Sequence, residues 1–251
     1  MSGIHTIFRQ STSTSIISIS STLYLPKTTH YRKNVYENGI YKDGAFPEFF
    51  HGFYKGSQPY GLDAGVLYGE DGVRLFFFSY AETQATQWFI SDNEIVVPTN
   101  RMVTLKSWFE NGNLCTRACD GSGNVLCKLD VPLIRAAYNA MTSGCSVNRE
   151  MCLAMNTPCT MPAPAYFSQT KFTDTIMCTK NGSEVKMSAD NSTLKVNRVD
   201  LGVPSNYKNY YAEKHLTATE VGGFIADVAT ATADKSQYPV SPIAYRAIQE
   251  C

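Results

Sequence analysis

Short apolar runs rich in aromatic and β-branched residues, separated by Gly, Asn, Asp and Pro, occupy the chain from residue 62 to residue 129. The runs AGVLYG, VRLFFFSY, TQWFI, EIVV and RMVTLKSWF have the length of ordinary strands. Turn signals between them, such as Glu70-Asp71-Gly72 and Asn111-Gly112, favour hairpins. This spacing predicts an all-β fold, an antiparallel β-sandwich of the lectin-like jelly-roll type.

The N-terminal residues alternate Ser or Thr with Ile, which is typical of a strand with one polar and one apolar face. A tyrosine-rich polar stretch follows, with the turn dipeptides Asn38-Gly39 and Asp43-Gly44. We therefore expect a β arm or hairpin at residues 1–45, in front of a single sandwich domain at residues 46–251. The aromatic and glycine-rich residues 46–61 predict a loop that is held against the core.

One segment, residues 131–142, has the features of a short helix. Asp130 is suited to the N-cap, Pro132 to the first turn and Gly144 to the end, and the interior is rich in alanine. The tail at residues 212–233 is ambiguous between helix and strand.

The charge balance excludes several classes of partner. The chain carries 22 Lys and Arg against 22 Asp and Glu, so it lacks the basic surplus that binds nucleic acid or anionic membranes. No apolar run approaches the roughly 18 residues of a membrane helix. The N-terminus also lacks the basic start, apolar stretch and cleavage site of a signal peptide. We expect no nucleic-acid partner and no membrane span.

Eight cysteines predict disulfide bonds and hence an oxidising, extracellular or cell-surface location. They form no CxxC pair and have no histidine nearby, so a zinc site is disfavoured and we expect no metal. Free structural thiols are the alternative to disulfides. The candidate disulfide cysteines are Cys115, Cys119, Cys127, Cys145, Cys152, Cys159, Cys178 and Cys251.

Two of these cysteine predictions are specific. Cys119 and Cys127 are equidistant from the centre of the Asp120–Asn124 turn, so they can face each other across a hairpin and bond. A register slip of one residue would separate them. Cys251 either bonds within its own chain or bonds a neighbouring subunit.

No catalytic signature accompanies the strands. The carboxylates closest to the paired arrangement of a glycosidase are Asp63, Glu70, Asp71 and Glu82, but Glu70 and Asp71 are better explained by a turn. We expect His51, which has aromatic neighbours, to be packed or hydrogen-bonded. Nucleophile-elbow and phosphate-binding glycine motifs are absent. The sequence therefore predicts a non-enzymatic protein with no catalytic residue and no cofactor.

Aromatic residues are abundant. The run Phe76-Phe77-Phe78, Trp88 and Trp108 are predicted to lie in the core. Six tyrosines lie in polar surroundings, where they would be partly exposed and suited to binding sugars or proteins. These candidate surface-binding residues are Tyr31, Tyr36, Tyr41, Tyr207, Tyr210 and Tyr211.

The order of the elements from about residue 60 to residue 230 resembles the YrpD-like group of uncharacterised secreted bacterial proteins. The resemblance lies in the pair DAGVLYG and VRLFFFSY, a strand that ends in an Asn-Gly turn, a hairpin, a helix-like connector, and NREMCLAMN leading into YFSQTKFTDT. It implies a lectin-like β-sandwich. It implies no site residue, because the group carries no established activity.

Two functions from different classes fit these patterns. The first is a structural protein that assembles with itself into an oligomer or filament outside the cytoplasm, through strand addition and disulfides. The alternative is a lectin-like module that binds glycans, or a secreted toxin or adhesin. The first hypothesis depends on the N-terminal arm, on Cys251 and on exposed tyrosines.

Overall fold

A computed structural model describes the following residues: 3–25, 29–30, 35–37, 40–42, 45–56, 60–69, 72–80, 88–90, 97–99, 101–155, 166–188, 190–199, 211–218 and 224–232. The elements are β1 (Gly3–Leu25), β2 (Thr29–His30), β3 (Val35–Glu37), β4 (Ile40–Lys42), β5 (Ala45–Lys55), β6 (Tyr60–Gly69), β7 (Gly72–Tyr80), β8 (Trp88–Ile90), β9 (Arg101–Glu110), β10 (Asn113–Cys119), β11 (Val125–Pro132), α1 (Arg135–Thr142), β12 (Cys145–Met155), β13 (Tyr166–Thr179), β14 (Glu184–Lys186), β15 (Thr193–Val199), β16 (Tyr211–Ala218) and β17 (Phe224–Thr232). Apart from the β3–β4 hairpin, these strands form one nearly closed sheet in which the pairings are antiparallel. The predicted antiparallel β character, with one short helix in the described part of the chain, is confirmed.

The long strand β1 organises the sheet. Its first half pairs with β12 along one edge and with β15 along the other. Its second half pairs with β9 and β13. We call β5 to β8, β12 and β15 the β12 group, and β9 to β11, β13 and β14 the β9 group. The change of partner falls between Thr12 and Ile16, where the register with β12 shifts.

The predicted strand character of the N-terminal segment is therefore confirmed, and the strand lies inside the chain's own sheet. Both of its edges are hydrogen-bonded to other strands of this chain along most of its length. The division into an arm of residues 1–45 and a domain of residues 46–251 stays a prediction.

Side chains from the two groups meet in a shared apolar core. Phe53 of the β12 group packs edge-to-face on Phe109 of the β9 group, with ring centroids 5.0 Å apart. Fully burying a side chain of this size stabilises the fold by about 1.5–3 kcal/mol. The fully buried members of the cluster include Ile16, Ile19, Phe53, Leu62, Ala64, Phe77, Leu114, Val131, Val147 and Met177. The helix α1 adds Met141 to this cluster and buries Ala137 beside it.

The prediction of a loop at residues 46–61 is wrong, because most of this segment is strand β5. Phe49, Phe50 and Phe53 are all fully buried. Since neighbouring residues of a strand point to opposite faces, β5 is buried on both faces. A strand of this kind shows no alternation of polar and apolar residues, which is why the sequence pattern did not indicate it.

Turn signals in the sequence predicted the structure better than the hydrophobic pattern of β5 did. Asn111 and Gly112 have φ angles of 49° and 83° and connect β9 to β10, as expected for the tight turn that Asn-Gly favours. Strands β6 and β7 pair as far as Gly69 and Gly72, whereas Glu70 and Asp71 of the predicted turn lie outside the described residues. The ambiguous tail forms the strands β16 and β17.

The helix begins later than predicted. Strand β11 continues through Pro132, and α1 starts at Arg135 after Ile134, which makes no side-chain cap hydrogen bond. The predicted cap, Asp130, pairs with Arg117 on the adjacent strand instead. The predicted end is confirmed, because Gly144 follows the helix with a φ of 103°.

We predict that Gly65→Ala destabilises the protein by about 2–3 kcal/mol, a typical cost of overpacking. Gly65 of β6 lies directly opposite Phe50, and a Cβ there would overlap the backbone of Phe49 and Phe50. Urea unfolding measures the change. The matched control is Gly56→Ala, because the added Cβ has no atom within 4 Å. Equal stability of the two variants would contradict the close approach of β5 and β6.

Candidate functional site

The structure describes the backbone of three of the six tyrosines that the sequence predicted as a binding surface. Tyr36 and Tyr41 pair across the β3–β4 hairpin, and Tyr211 is the first residue of β16. Tyr31, Tyr207 and Tyr210 lie outside the described residues. The tyrosine surface therefore stays a prediction.

The predicted Cys119–Cys127 disulfide is wrong, because the hairpin is out of register by one residue. Cys127 lies opposite Ala118, whereas Cys119 lies opposite Val125, with a shift between the two pairs. Residues opposite each other share a face, and neighbours along a strand point to opposite faces. Cys119 and Cys127 therefore point to opposite faces of the sheet.

The other thiols in the described part of the chain also differ from the disulfide prediction. Free thiols are found at Cys115, Cys119, Cys145 and Cys178. Burial raises the pKa of Cys115 to about 12, with a further contribution from Asp130, and burial raises the pKa of Cys145 to about 12. Thiols with such pKa values are protonated at neutral pH and are poor nucleophiles. The thiols of Cys152, Cys159 and Cys251 lie outside the described residues, so bonds among them stay predictions.

His51 is the middle of a buried hydrogen-bonded network that joins the two strand groups. Its Nε2 lies 2.9 Å from the hydroxyl of Ser21, and its Nδ1 lies 3.3 Å from that of Ser107. The Ser21 hydroxyl is 2.8 Å from that of Thr175, which accepts a 2.5 Å hydrogen bond from Arg149. Every one of these five side chains is at most 1% exposed. We call this set the polar centre.

The polar centre has the contacts of a structural network and not those of a catalytic one. A serine hydroxyl beside a histidine is one element of nucleophilic catalysis, but catalysis also needs a group that orients the imidazole as a base. Both ring nitrogens of His51 face serine hydroxyls instead. Burial, and secondarily the charge of Arg149, lowers the pKa of His51 to about 3, so the ring is neutral. The prediction that His51 is packed and hydrogen-bonded is confirmed.

A second set of buried polar side chains lies on β5, β6 and β12. Asp63 accepts a 2.6 Å hydrogen bond from the hydroxyl of Tyr54, and Asn148 donates to Glu150 over 3.3 Å. Glu48 belongs to this set, and each of the four residues Glu48, Asp63, Asn148 and Glu150 is at most 1% exposed. Sequence reasoning singled out Asp63 but missed the two glutamates, because Glu48 lies in an aromatic segment that was predicted as a loop and Glu150 on β12 matches no motif. Glu70, Asp71 and Glu82 lie outside the described residues.

A cluster of polar side chains lies on the outer face of the β9 group, around Trp108. The guanidinium of Arg117 lies over the Trp108 ring, 5.2 Å from its centroid. Arg117 also forms two parallel hydrogen bonds to Asp130, of 2.5 and 2.9 Å. The indole nitrogen of Trp108 donates to Glu110 over 3.3 Å. We call these four residues the Trp108 cluster.

The Trp108 cluster is charged, ordered and open to solvent. The Arg117 side chain is 17% exposed and that of Asp130 is 40% exposed. The hydrogen bond from Arg117 lowers the pKa of Asp130, so both partners keep their charges at neutral pH. Bidentate pairs of this kind fix the geometry of both side chains. Trp108, which the sequence predicted as a core residue, is only half-buried and lies on the outer face, because it pairs in register with Cys115 and Ser18.

Asp120, the first residue of the turn predicted at Asp120–Asn124, holds that turn closed. Its carboxylate accepts 2.9 Å hydrogen bonds from the backbone of Ser122 and from both the backbone and the side chain of Asn124. These bonds close the turn between β10 and β11.

We predict that His51 makes the protein sensitive to mild acid. The pKa of His51 falls from 6.5 in the unfolded chain to about 3 in the folded one, so its contribution is complete above pH 6.5 and decreases as the pH drops towards 3. The expected slope is about 1.4 kcal/mol per pH unit. Urea unfolding at pH 7.5, 6.5 and 5.5 should show this loss for the wild type and a flatter profile for His51→Gln. Parallel profiles would show that His51 is not held neutral.

We also predict that Cys115 and Cys145 resist iodoacetamide at pH 8 in the folded protein. Their pKa values of about 12 leave a thiolate fraction on the order of 10⁻⁴ at that pH. Peptide mass spectrometry should find both cysteines alkylated only after urea is added. Cys178, which is half-buried, is the internal control and should react first. Rapid labelling of Cys115, or recovery of Cys115 in a disulfide, would contradict the structure.

Comparison with known proteins gives little further information. Within the described residues, no helix has both the length and the apolar character needed to cross a membrane. No protein-family model matches the chain, and no curated protein matches it. The chain is similar to a solved structure, the carbohydrate binding module CBM66 from Bacillus subtilis, with 12% identity and a TM-score of 0.28. The match covers 56% of this chain and 73% of that one. At these values the similarity supports no functional argument.

Proposed function

We propose that this protein is a non-catalytic, lectin-like β-sandwich that binds glycans. The observation that carries the proposal is the Trp108 cluster on the outer face of the β9 group. There an aromatic ring, a guanidinium and two carboxylates are held together within reach of solvent.

The chemistry of the cluster suits a sugar. The C–H face of a pyranose packs on an aromatic ring, and its hydroxyls donate to carboxylates and accept from a guanidinium. Because Arg117 and Asp130 already fix each other, a ligand orders few side chains when it binds. Ser18, Ser20 and Thr22 follow the same face of β1 and add hydroxyl groups beside the cluster.

The sandwich architecture of the proposal is supported by the way the two strand groups meet. They share β1, and their side chains pack on each other in the core and in the polar centre. In this arrangement the β9 group has one face on the core and one face in solvent.

The non-catalytic part of the proposal is supported by burial and ionisation. The Ser21–His51 contact and the carboxylates Glu48, Asp63 and Glu150 have no exposed surface. The exposed carboxylate Asp130 has a lowered pKa, so it is a poor general acid near neutral pH.

The first hypothesis from the sequence, self-assembly by strand addition, receives less support. A strand that joins a neighbour needs unpaired backbone groups, whereas β1 is paired along both edges at residues 5–11 and 18–24. In the described strands, β11 pairs with β10 along one edge, and it carries Lys128, Asp130 and Pro132, which discourage a further strand. The free thiols of Cys115 and Cys145 also weaken a disulfide route.

We predict that the wild type binds at least one polysaccharide on a glycan array and that Trp108→Ala weakens this binding about tenfold, which corresponds to about 1.4 kcal/mol. Isothermal titration with the best ligand measures the change. The control is Ile134→Ala, an exposed apolar side chain at the start of α1 and outside the Trp108 cluster. Circular dichroism checks that both variants are folded.

Two results would overturn the proposal. One is a folded wild type that binds no glycan and elutes as a large oligomer in size-exclusion chromatography, which would favour self-assembly. The other is equal binding by the wild type and Trp108→Ala, which would place the glycan site elsewhere.

A further inference from the structure

We infer that the glycan is acidic, a polymer of uronic acids, and that it lies across the strands of the β9 group. The inference rests on the proposed function and names its ligand class. It comes from a row of side chains at matching register positions on six adjacent strands. From one edge inward, the row is Lys128, Arg117, Lys106, Ser20, Ile176 and Lys186. We call it the cationic row.

The cationic row faces solvent. Lys106, Lys128 and Lys186 are exposed, and the three other members are half-buried. Strands in a sheet are about 4.8 Å apart, so the row is about 24 Å long. This spacing is comparable to the length of one pyranose ring, so an extended polysaccharide that crosses the strands presents about one sugar to each strand.

The arrangement of charges opposes stability, which favours a ligand-binding role. Lys128, Arg117 and Lys106 lie directly opposite one another on β11, β10 and β9. Like charges in directly opposed positions destabilise a sheet. Arg117 is balanced by Asp130, whose carboxylate also interacts with the charge of Lys128, but within the described residues no ion pair is found at Lys106 or Lys186. An anionic ligand would relieve this repulsion.

The neighbouring row determines which anion fits. Two residues further along the same strands, the side chains are Asp130, Cys115, Trp108, Ser18, Cys178 and Glu184. This row has a carboxylate at each end and the tryptophan between them. A ligand on this face therefore meets cations along one side and hydrogen-bond acceptors and an aromatic ring along the other.

A uronic acid polymer satisfies both rows. Its carboxylates accept hydrogen bonds from the lysines and Arg117, its hydroxyls donate to Asp130 and Glu184, and its C–H faces pack on Trp108. A polyphosphate or a nucleic-acid backbone supplies the anions but offers few donors to the second row. A neutral glycan supplies the donors but brings no anionic partner for Lys106 or Lys186. The zero net charge of the chain further disfavours binding by general electrostatic attraction.

The experiment compares three polymers on the full-length protein: polygalacturonate, neutral galactan and inorganic polyphosphate. Biolayer interferometry at 50 and 300 mM NaCl measures each affinity. We expect the wild type to prefer polygalacturonate, with weaker binding at the higher salt concentration because exposed charges are screened.

The variants test the row itself. Lys106→Gln/Lys128→Gln should weaken polygalacturonate binding at least tenfold, without lowering the urea midpoint, because it removes mutual repulsion. Lys186→Gln should weaken binding to chains of six or more sugars and leave the binding of disaccharides unchanged, because Lys186 lies at the far end of the row. The control is Lys180→Gln, an exposed lysine in the turn between β13 and β14, which should bind like the wild type.

The outcomes separate this inference from the proposed function. Equal binding of galactan and polygalacturonate, with no effect of the double variant, would overturn the acidic ligand and leave glycan binding intact. Failure of all glycans to bind the folded wild type would overturn both. Polyphosphate binding as tight as polygalacturonate binding, and lost in the double variant, would show a general polyanion site and overturn the uronic acid assignment. An equal effect of Lys186→Gln on short and long chains would overturn the orientation across the strands.

Discussion

Hydrogen bonding along both edges of β1 is the constraint on which the rest of the structure depends. The first half of this strand holds β12 and β15, and the second half holds β9 and β13. Because the two strand groups share β1, the position at which it changes partners decides how they face each other. Ile16 at this change is fully buried, and its carbonyl accepts a hydrogen bond from the Cys145 thiol over 3.1 Å. The nearby Ser15 carbonyl accepts from the backbone of Lys180 over 3.3 Å.

The polar centre fixes the relative position of the two groups more specifically than apolar packing does. Apolar side chains can slide and repack at little cost, whereas a buried hydroxyl or imidazole left without a partner costs about 1–3 kcal/mol. His51 contacts β1 and β9, while Arg149 contacts β13. A shift of either group along the strand direction would break several of these bonds at once. The polar centre therefore selects one register between the groups. This register also fixes the positions of the side chains on the outer face of the β9 group.

Sequence reasoning succeeded where the determining interactions are local. The Asn111-Gly112 turn and the end of α1 each depend on the backbone preferences of a few neighbouring residues. It failed where a distant strand decides the outcome. The first turn expected for α1 is part of β11, because Asp130 is held by Arg117 across the sheet and is not free to cap a helix.

Pairing with other strands also explains the errors at the candidate site. The Cys119–Cys127 pairing depended on a regular hairpin, and a single irregularity after Ala118 moved the two thiols to opposite faces. Trp108 was assigned to the core because tryptophan is usually well buried, but its face is set by register with β1 and β10. The cationic row likewise consists of residues from six different strands. The Asn111-Gly112 turn sets Lys106 opposite Arg117, but the pairings of β1 with β9 and β13 join segments that are far apart in the sequence.

The strand β1 precedes all of its partner strands in the sequence, which has a consequence for synthesis in the cell. Its nearest partner in sequence is β9, whose Arg101 pairs with Leu25, and its farthest is β15, whose Val199 pairs with His5. At translation rates of about 5–20 residues per second, roughly 10 to 35 seconds pass between the synthesis of β1 and the synthesis of β15. During that interval its alternating isoleucines and unpaired backbone are open to pairing with other nascent chains. Productive folding of this protein is therefore expected to require that β1 does not pair with other chains before β15 has emerged.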